Sequence, residues 1–147
     1  MASDYLVEML KAQRHLQVKA YGSDPYEGSE VQRINFMKDM KLALEAELQE
    51  LMDEIGWKPW ASSRHINREA AVGELVDVWH FFMNFMLVLN VSPAELYERY
   101  MEKRTKNIIR QKDGYDGVIG KCPVCKRALD DSAVKCTPDD CVAMEMM

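Results

Sequence analysis

The spacing of apolar residues is helical along almost the whole chain. Four segments carry apolar side chains three or four positions apart, which places them on one face of an α-helix. We predict helices over residues 3–20, 30–55, 67–90 and 93–112. We find no segment with the strict alternation that a half-buried strand shows. The sequence therefore predicts an all-α, four-helix core.

Residues that begin and end helices support these bounds. The segment 21–29 is rich in Gly, Ser, Asp and Pro, so it is a loop, and Gly56 ends the second helix. Ser92 suits the N-cap of the fourth helix, because Pro93 fits the first helical position and Glu95 completes a capping box.

The third predicted helix differs from the others because it is apolar on nearly every side from Leu75 to Leu89. Such a helix is buried in a folded domain. Two acidic residues, Glu74 and Asp77, stand at its start, and an acid on a buried helix needs a partner or a metal ion.

The second helix carries a matching acidic pair, Glu47 and Glu50, which Glu54 extends by one turn. Residues three or four apart share a helix face, so packing of the two helices would bring four or five carboxylates together. Like charges at that distance cannot all stay ionised without a cation among them. The first pair alone could be a solvated face, but together the two pairs predict an all-oxygen Mg²⁺ or Mn²⁺ site and metal-assisted phosphate chemistry.

Composition and charge narrow the class of protein. The chain has 147 residues, of which 48% are hydrophobic and 29% charged, and this suits one soluble domain with a small appendage. A formal charge of −5 argues against non-specific nucleic-acid binding. The longest apolar stretch, residues 81–89, is too short for a bilayer, and the N-terminus is no secretory signal. We therefore expect a soluble, cytoplasmic protein.

The fourth helix carries positive charge near its end. Lys103, Asn107 and Arg110 share one face. These side chains can bind phosphate oxygens, although a solvated basic helix end is the alternative. Beside an acidic cluster in an acidic chain, we interpret them as a phosphate clamp.

The last thirty residues contain four cysteines in two short pairs, Cys122 with Cys125 and Cys136 with Cys141. Two disulfides would be the alternative in a secreted chain, but nothing in the sequence indicates export. We predict a structural Zn²⁺ held by four thiolates. The expected domains are a helical domain over residues 1–117 and a Cys₄ zinc-binding tail over residues 118–147.

Outside the cysteine-containing tail, the motifs described above resemble, in their order along the sequence, those of the MazG-like superfamily of all-α nucleoside triphosphate pyrophosphatases. These motifs are the two acidic pairs and the basic face of the fourth helix. The segment from Glu74 to Asn84 is most similar to the dimeric dUTPases and the T-even phage dCTP/dUTP pyrophosphatases. The segment from Gly56 to Trp60 resembles the Lys-x-Trp element of that family. The closing phosphate motif ends at Tyr115, and Gln13 corresponds to a position that reads the pyrimidine.

The resemblance implies a role for each matched residue. Glu47, Glu50, Glu74 and Asp77 would hold Mg²⁺ and carry catalysis, with Glu50 as general base and Glu54 in reserve. The substrate would be a deoxynucleoside triphosphate, with dUTP or dCTP favoured, hydrolysed to the monophosphate and pyrophosphate. Its proposed contacts are Gln13, Lys58, Trp60, Asn84, Lys103, Asn107, Arg110 and Tyr115. His80 is interpreted as a packed histidine behind the site.

The resemblance also implies a homodimer or higher homo-oligomer, and a phage protein would act in the host cytoplasm. Arg104 stands where relatives usually have Asn, which leaves the identity of the base open. A purine or broad-range pyrophosphatase is therefore one alternative. A non-catalytic helical binding module with a zinc-knuckle tail is the other.

Overall fold

The computed structural model describes residues 4–112, 114, 120–122, 124, 126 and 128. Within these residues the chain forms α1 (Tyr5–Tyr21), a 3₁₀ turn (Pro25–Glu27), α2 (Glu30–Asp53), α3 (Arg68–Val88) and α4 (Pro93–Lys112). The described part of the chain has no β-strand beyond two isolated bridges. The prediction of an all-α fold is confirmed.

Capping residues explain where the first two helices begin. The Asp4 carboxylate accepts hydrogen bonds from the backbone N–H groups of Leu6 and Val7 at 3.1 and 3.2 Å. Ser29 and Gln32 form a capping box at the start of α2. These contacts satisfy backbone donors that have no partner inside the helix.

Helix α2 ends two residues before its predicted bound. Glu54 caps the helix, and Ile55 leaves it to form an antiparallel bridge with Ile66. The sequence pattern did not reveal this bridge, because it depends on a contact between the two ends of the connecting loop.

Helix α3 is the central helix of the compact unit formed by residues 1–98. It packs mainly along α2 and also contacts α1 and the 3₁₀ turn. The most buried apolar side chains of this unit all lie on its second half: Met83, Met86, Leu87 and Val88. The expectation that the apolar third helix is buried is met in this half, whereas Leu75 and Val76 in the first half are 54% and 50% exposed.

Helix α3 is also long and apolar enough to cross a membrane by length and composition alone. Core helices of soluble proteins meet the same criterion. Here the helix carries Glu74 and Asp77 along its length and packs against two other helices. One helix that meets this criterion is weak evidence for a membrane span.

The chain divides into two compact units, residues 1–98 and 99–147, and α4 begins in the first and continues into the second. The Ser92 hydroxyl accepts a hydrogen bond from the N–H of Glu95 at 3.1 Å, as expected of its N-cap role. In the second unit, Lys121 and Ala128 form a bridge around a turn in which the N–H of Lys126 donates to the carbonyl of Cys122. The predicted domain boundary at residue 117 lies outside the described residues.

Candidate metal and nucleotide site

Three carboxylates from α2 and α3 converge in the first unit. Glu47 and Glu50 extend from α2 and Glu74 extends from α3, and each offers an oxygen within 4.8 Å of the other two. Glu47 and Glu74 are half-buried, whereas Glu50 is exposed. Helix periodicity places each acidic pair on one face, and the packing of α2 on α3 turns these faces toward each other.

This convergence raises the pKa of two of the carboxyl groups. The pKa of Glu47 lies above its ordinary value because of desolvation first and then repulsion from Glu50, Asp77 and Glu74. The pKa of Glu74 is raised by desolvation and by repulsion from Glu50, Asp77 and Glu54. The folded chain thus holds like charges close together, an arrangement that a bound cation would relieve.

The other two predicted ligands lie at the edge of this cluster. Asp77 is exposed and close enough to raise the pKa of both Glu47 and Glu74. The Oε2 atom of Glu54 accepts a hydrogen bond from the side-chain amide of Asn67 at 2.8 Å. This hydrogen bond holds Glu54 at the start of α3. The charge of Glu54 also contributes to the raised pKa of Glu74.

The type of ligand atom determines which metal ion would fit this cluster. All the converging ligand atoms are carboxylate oxygens, and hard divalent cations such as Mg²⁺ and Mn²⁺ prefer such oxygens. The part of the cluster that remains exposed would leave room for water or a ligand oxygen. The residues present therefore fit the divalent ion that the sequence predicts.

A second polar group lies deeper between α1 and α3. The side-chain amide of Gln13 donates from Nε2 to Asn84 Oδ1 at 2.8 Å, and its Oε1 lies 2.6 Å from His80 Nδ1. Asn84 in turn donates from Nδ2 to the sulfur of Met40 at 3.1 Å. Gln13 and Asn84 are buried, so these bonds offset the desolvation of their amides.

Asn84 also lines a cavity of about 290 Å³ within the first unit. Phe36, Phe81 and Tyr21 supply aromatic rings to this cavity, and the remaining lining comes from Gln17, Ser23, Pro25 and Met40. An ion pair between Arg14 and Asp24 ties α1 to the segment that carries Ser23 and Pro25. The cavity is near the lower end of ligand-pocket volumes, which suits a small planar group.

The cavity and the carboxylates lie along the same interface between α2 and α3, here named the α2–α3 groove. Met40 precedes Glu47 by seven residues on α2, and Asn84 follows Asp77 by seven residues on α3. Since Met40 contacts Asn84 and Asp77 lies close enough to Glu47 to raise its pKa, the two helices run antiparallel and share this spacing. At the helical rise of 1.5 Å per residue, seven residues span about 10.5 Å. The α2–α3 groove thus separates an acidic end from an amide-lined end by roughly the length of a nucleotide.

The connection between α2 and α3 carries Trp57 and, directly after it, Lys58-Pro59-Trp60, which resembles the Lys-x-Trp element. Trp60 is 77% exposed and meets Trp57 edge to face, with 6.5 Å between ring centroids. The Lys58 ammonium lies 6.0 Å from the centre of the Trp57 ring. Trp60 is therefore an accessible side chain and not part of the core.

The predicted phosphate-binding residues belong to the second unit. Lys103 and Asn107 are exposed on α4, and Arg110 is half-buried. Tyr115, Cys125, Cys136 and Cys141 lie outside the described residues, whereas Cys122 is buried. The assignments of these residues stay predictions.

Sequence reasoning missed most of the cavity. Phe36, Met40 and Phe81 read as ordinary core positions, and Gln17, one of three buried polar residues in the described chain, was not singled out. One signal was present: Met40 and Asn84 stand two helical turns from the acidic pairs. Using it would have required the register between α2 and α3.

Comparisons with known proteins agree with this architecture. A family model described as dUTPase matches residues 5–95, which is more than half of the chain. The dCTP pyrophosphatase of Enterobacteria phage LZ5 is 25% identical over 143 residues, covering 76% of this chain and 83% of that protein. The dCTP pyrophosphatase of Enterobacteria phage T4 is 26% identical over 144 residues with the same coverage. No solved structure matches the chain significantly. The extent of the family match shows that this chain belongs to the dUTPase family.

Proposed function

We propose that the chain hydrolyses a pyrimidine deoxynucleoside triphosphate, dUTP or dCTP, to the monophosphate and pyrophosphate, and that it requires Mg²⁺ or Mn²⁺. The observation that carries this proposal is the convergence of Glu47, Glu50 and Glu74 within 4.8 Å of one another. The dUTPase family match and the phage dCTP pyrophosphatases support the nucleotide substrate.

The proposed metal ligands are Glu47, Glu50, Glu74 and Asp77, with Glu54 held beside them by Asn67. Divalent ions bound there would neutralise the triphosphate and the pyrophosphate that leaves. The raised pKa values of Glu47 and Glu74 support this proposal, because the cluster is least stable when all of its carboxylates are ionised.

Glu50 is the proposed general base. It is the most exposed of the three converging carboxylates, so it can accept a hydrogen bond from a water molecule at the open side of the cluster. Removal of a proton from that water would activate it for attack on phosphorus. Lys103, Asn107, Arg110 and Tyr115 are the proposed phosphate contacts.

The pyrimidine would occupy the cavity beside Asn84. Phe36 and Phe81 offer aromatic surface to a planar base, and the Asn84 amide offers polar atoms to its edge. The distance of about 10.5 Å along the helices from Asp77 to Asn84 suits a molecule with phosphates at one end and a base at the other. Gln13 supports Asn84 from behind, while Lys58 and Trp60 are proposed contacts from the connection.

We further propose a homodimer that covers a groove between α1 and α3. This groove has a volume of about 590 Å³ and is lined mainly by apolar side chains, including Leu16, Leu75, Val76 and Trp79. Leu75 and Val76 remain 54% and 50% exposed. Exposed apolar surface of this extent marks interaction sites, and a second copy of the chain is the proposed occupant.

For the tail, we propose a Zn²⁺ site made by Cys122, Cys125, Cys136 and Cys141. Within the described residues, Cys122 is buried and opens a turn closed by the N–H of Lys126 at 3.0 Å. A tight turn after a buried cysteine supports this proposal, because zinc-binding pairs of cysteines present their sulfurs from such turns.

The proposed function is tested by assaying pyrophosphate release from all common dNTPs with and without Mg²⁺, in the wild type and in Glu50→Gln and Asp77→Asn. Each substitution keeps the shape of the side chain and removes a ligand charge. We expect a dUTP or dCTP activity that needs the metal and falls by about a hundredfold or more in both variants.

Glu45→Gln is the matched control, since Glu45 lies on α2 and makes only an exposed ion pair with Lys41. Losses below about tenfold in both test variants, equivalent to about 1.4 kcal/mol, would contradict the metal site. Activity on purine dNTPs alone would contradict the pyrimidine assignment.

A further inference from the structure

Three polar side chains form a continuous hydrogen-bonded series that starts at His80 on α3, passes through Gln13 on α1 and returns to Asn84 on α3 beside the cavity. His80 Nδ1 contacts Gln13 Oε1 at 2.6 Å, and Gln13 Nε2 donates to Asn84 Oδ1 at 2.8 Å. Gln13 is 3% exposed and Asn84 is 2% exposed. Water therefore has little access to these amides, and their hydrogen bonds fix how they are oriented.

The orientation of one amide determines that of the next. A side-chain amide has an acceptor oxygen at one end and a donor nitrogen at the other. With the Gln13 oxygen facing the imidazole, this contact is a hydrogen bond only in the His80 tautomer that carries its proton on Nδ1. Gln13 then directs its nitrogen to Asn84 Oδ1, so Asn84 directs its own nitrogen toward Met40 and the cavity.

The last hydrogen bond of this series, from Asn84 to Met40, is its weakest. Asn84 Nδ2 lies 3.1 Å from the sulfur of Met40, and a thioether is a poor acceptor. A carbonyl oxygen in the cavity would be a better partner for this buried N–H group. The cavity thus offers a hydrogen-bond donor to whatever base enters it.

We propose that His80 is a positioning residue that sets the hydrogen-bond polarity of the base cavity, and that its Nδ1 proton makes the cavity favour uracil over cytosine. This inference rests on the proposed function. The 4-substituent of a pyrimidine is para to the glycosidic nitrogen, so it reaches furthest into the cavity. It is a carbonyl acceptor in uracil and an amino donor in cytosine, and the Asn84 N–H group matches only the acceptor.

The same series of hydrogen bonds can also form with every donor and acceptor reversed. If His80 Nδ1 carried no proton, Gln13 would turn its nitrogen to the imidazole and its oxygen to Asn84. Asn84 would then donate to Gln13 and present its oxygen to the cavity, which would suit the amino group of cytosine. A buried donor that faces another donor is a strong source of discrimination. We therefore expect the polarity to change selectivity by about tenfold or more.

The first test needs no activity. The chain has three histidines, His15, His65 and His80, so the ¹⁵N resonances of their rings can be assigned by single substitutions. At about pH 8, where an ordinary imidazole is neutral, we expect His80 to carry its proton on Nδ1. A bare Nδ1 on His80 in the free protein would overturn the proposal.

The second test reverses the polarity with an isosteric change. In Gln13→Glu both side-chain oxygens accept, so Asn84 must turn its nitrogen toward α1 and its oxygen toward the cavity. We expect the ratio of the dissociation constants for dCMP and dUMP, measured by calorimetry in Mg²⁺, to shift toward cytosine by about tenfold or more.

Two His80 variants separate positioning from structural support. His80→Asn restores a hydrogen bond to Gln13 without fixing its direction, because an amide can donate or accept, and His80→Phe makes no such bond. Both variants should therefore bring the ratio close to one, whereas a purely structural role would be rescued by His80→Asn. His15→Asn is the matched control, because His15 is exposed on α1. Each variant is first compared with the wild type by thermal unfolding.

The outcomes distinguish this inference from the proposed function. Binding of both nucleotides with a ratio unchanged in Gln13→Glu and in His80→Phe would overturn the inference alone. Failure of the wild type to bind either nucleotide would overturn the proposed function and the inference with it. If His80→Phe does not fold, the ¹⁵N measurement and Gln13→Glu still decide.

Discussion

At the scale of single residues, the carboxylate cluster links stability to pH. Glu47 and Glu74 have pKa values raised above the ordinary value of 4.5, so the folded chain binds their protons more tightly than the unfolded chain does. Their contribution to stability is full below about pH 4.5 and is lost as the pH rises through the folded pKa values. At neutral pH the metal-free protein therefore contains repulsion that a cation can remove.

We expect Mg²⁺ to raise the melting temperature at pH 7 and to have little effect at about pH 4, where protonated carboxyl groups bind metal poorly. In metal-free protein at pH 7, the double variant Glu47→Gln/Glu74→Gln should melt above the wild type and show no response to Mg²⁺. Thermal unfolding by calorimetry in chelator or in excess Mg²⁺ measures both effects. An equal Mg²⁺ response in the wild type and the double variant would contradict this prediction.

The carboxylate cluster could be predicted from the sequence, because the residue types and the helical spacing of its members depend only on neighbouring positions. Glu74 and Asp77 stood out as acids on an apolar helix, and Glu47 and Glu50 as a pair on one face. The partner of Gln13 could not be found in the same way, because Asn84 lies 71 residues along the chain. The exposure of Trp60 could not be predicted from its residue type, because tryptophan occurs both in cores and at pocket walls.

At the scale of elements, the connection between α2 and α3 holds the two acidic helices in register. The N–H of Asn67 donates to the carbonyl of Glu54 at 2.9 Å, and the N–H of Gly56 donates to the carbonyl of His65 at 2.8 Å. A Cβ atom at Gly56 would lie 2.9 Å from the backbone of both Ser63 and His65. Only glycine allows this close approach.

Gly56→Ala should therefore destabilise the protein by about 1–3 kcal/mol, since backbone on the other side of the connection would have to move. Gly73→Ala is the matched control: a Cβ atom there meets no described atom within 4 Å, and alanine is the better helix former. We expect it to stabilise α3 by about 0.5–1 kcal/mol. Urea unfolding measures the change in the free energy of unfolding of each variant. Equal destabilisation of both variants would contradict the close approach at Gly56.

Each end of each helix was predicted to within two residues. This was possible because capping residues and apolar spacing depend on residues that are close in the sequence. Residues 30 and 93 begin α2 and α4 as predicted. The 3₁₀ turn at Pro25–Glu27 and the bridge between Ile55 and Ile66 were not predicted. Both lie in loops, where contacts with other elements decide the conformation.

At the scale of the whole molecule, the apolar groove between α1 and α3 predicts self-association. We expect light scattering at about 10 µM to give twice the chain mass of 17.0 kDa. Leu16→Glu should dissociate the dimer, because Leu16 lines the groove and is 43% exposed. Val31→Glu is the control, as Val31 is exposed on α2 and does not line the groove. A wild-type monomer at this concentration would contradict the prediction.

The tail should be separable from the chemistry. A chain that ends at Gly120 retains the carboxylates, the cavity and the proposed phosphate contacts, so it should keep Mg²⁺-dependent hydrolysis. It should lose the one Zn²⁺ per chain that we expect in the full-length protein, because thiolates select zinc while carboxylates prefer harder cations. Metal analysis and the pyrophosphate assay on both chains measure this. A truncated chain that folds without activity would mean that the tail belongs to the active site.

The seven-residue spacing shared by α2 and α3 restricts how proteins of this architecture can change in length. One residue inserted between Met40 and Glu47, or between Asp77 and Asn84, would rotate one end of its helix by about 100° against the other. Either the carboxylates or the amide would then leave the α2–α3 groove, and no single substitution could restore them. Evolution can add or remove residues at the exposed positions 61–62 of the connection between α2 and α3, beyond the proposed contacts Lys58 and Trp60, at much lower risk. Among homologues that keep both ends of the α2–α3 groove, insertions and deletions should therefore collect in that connection, while these two helical intervals keep a constant length.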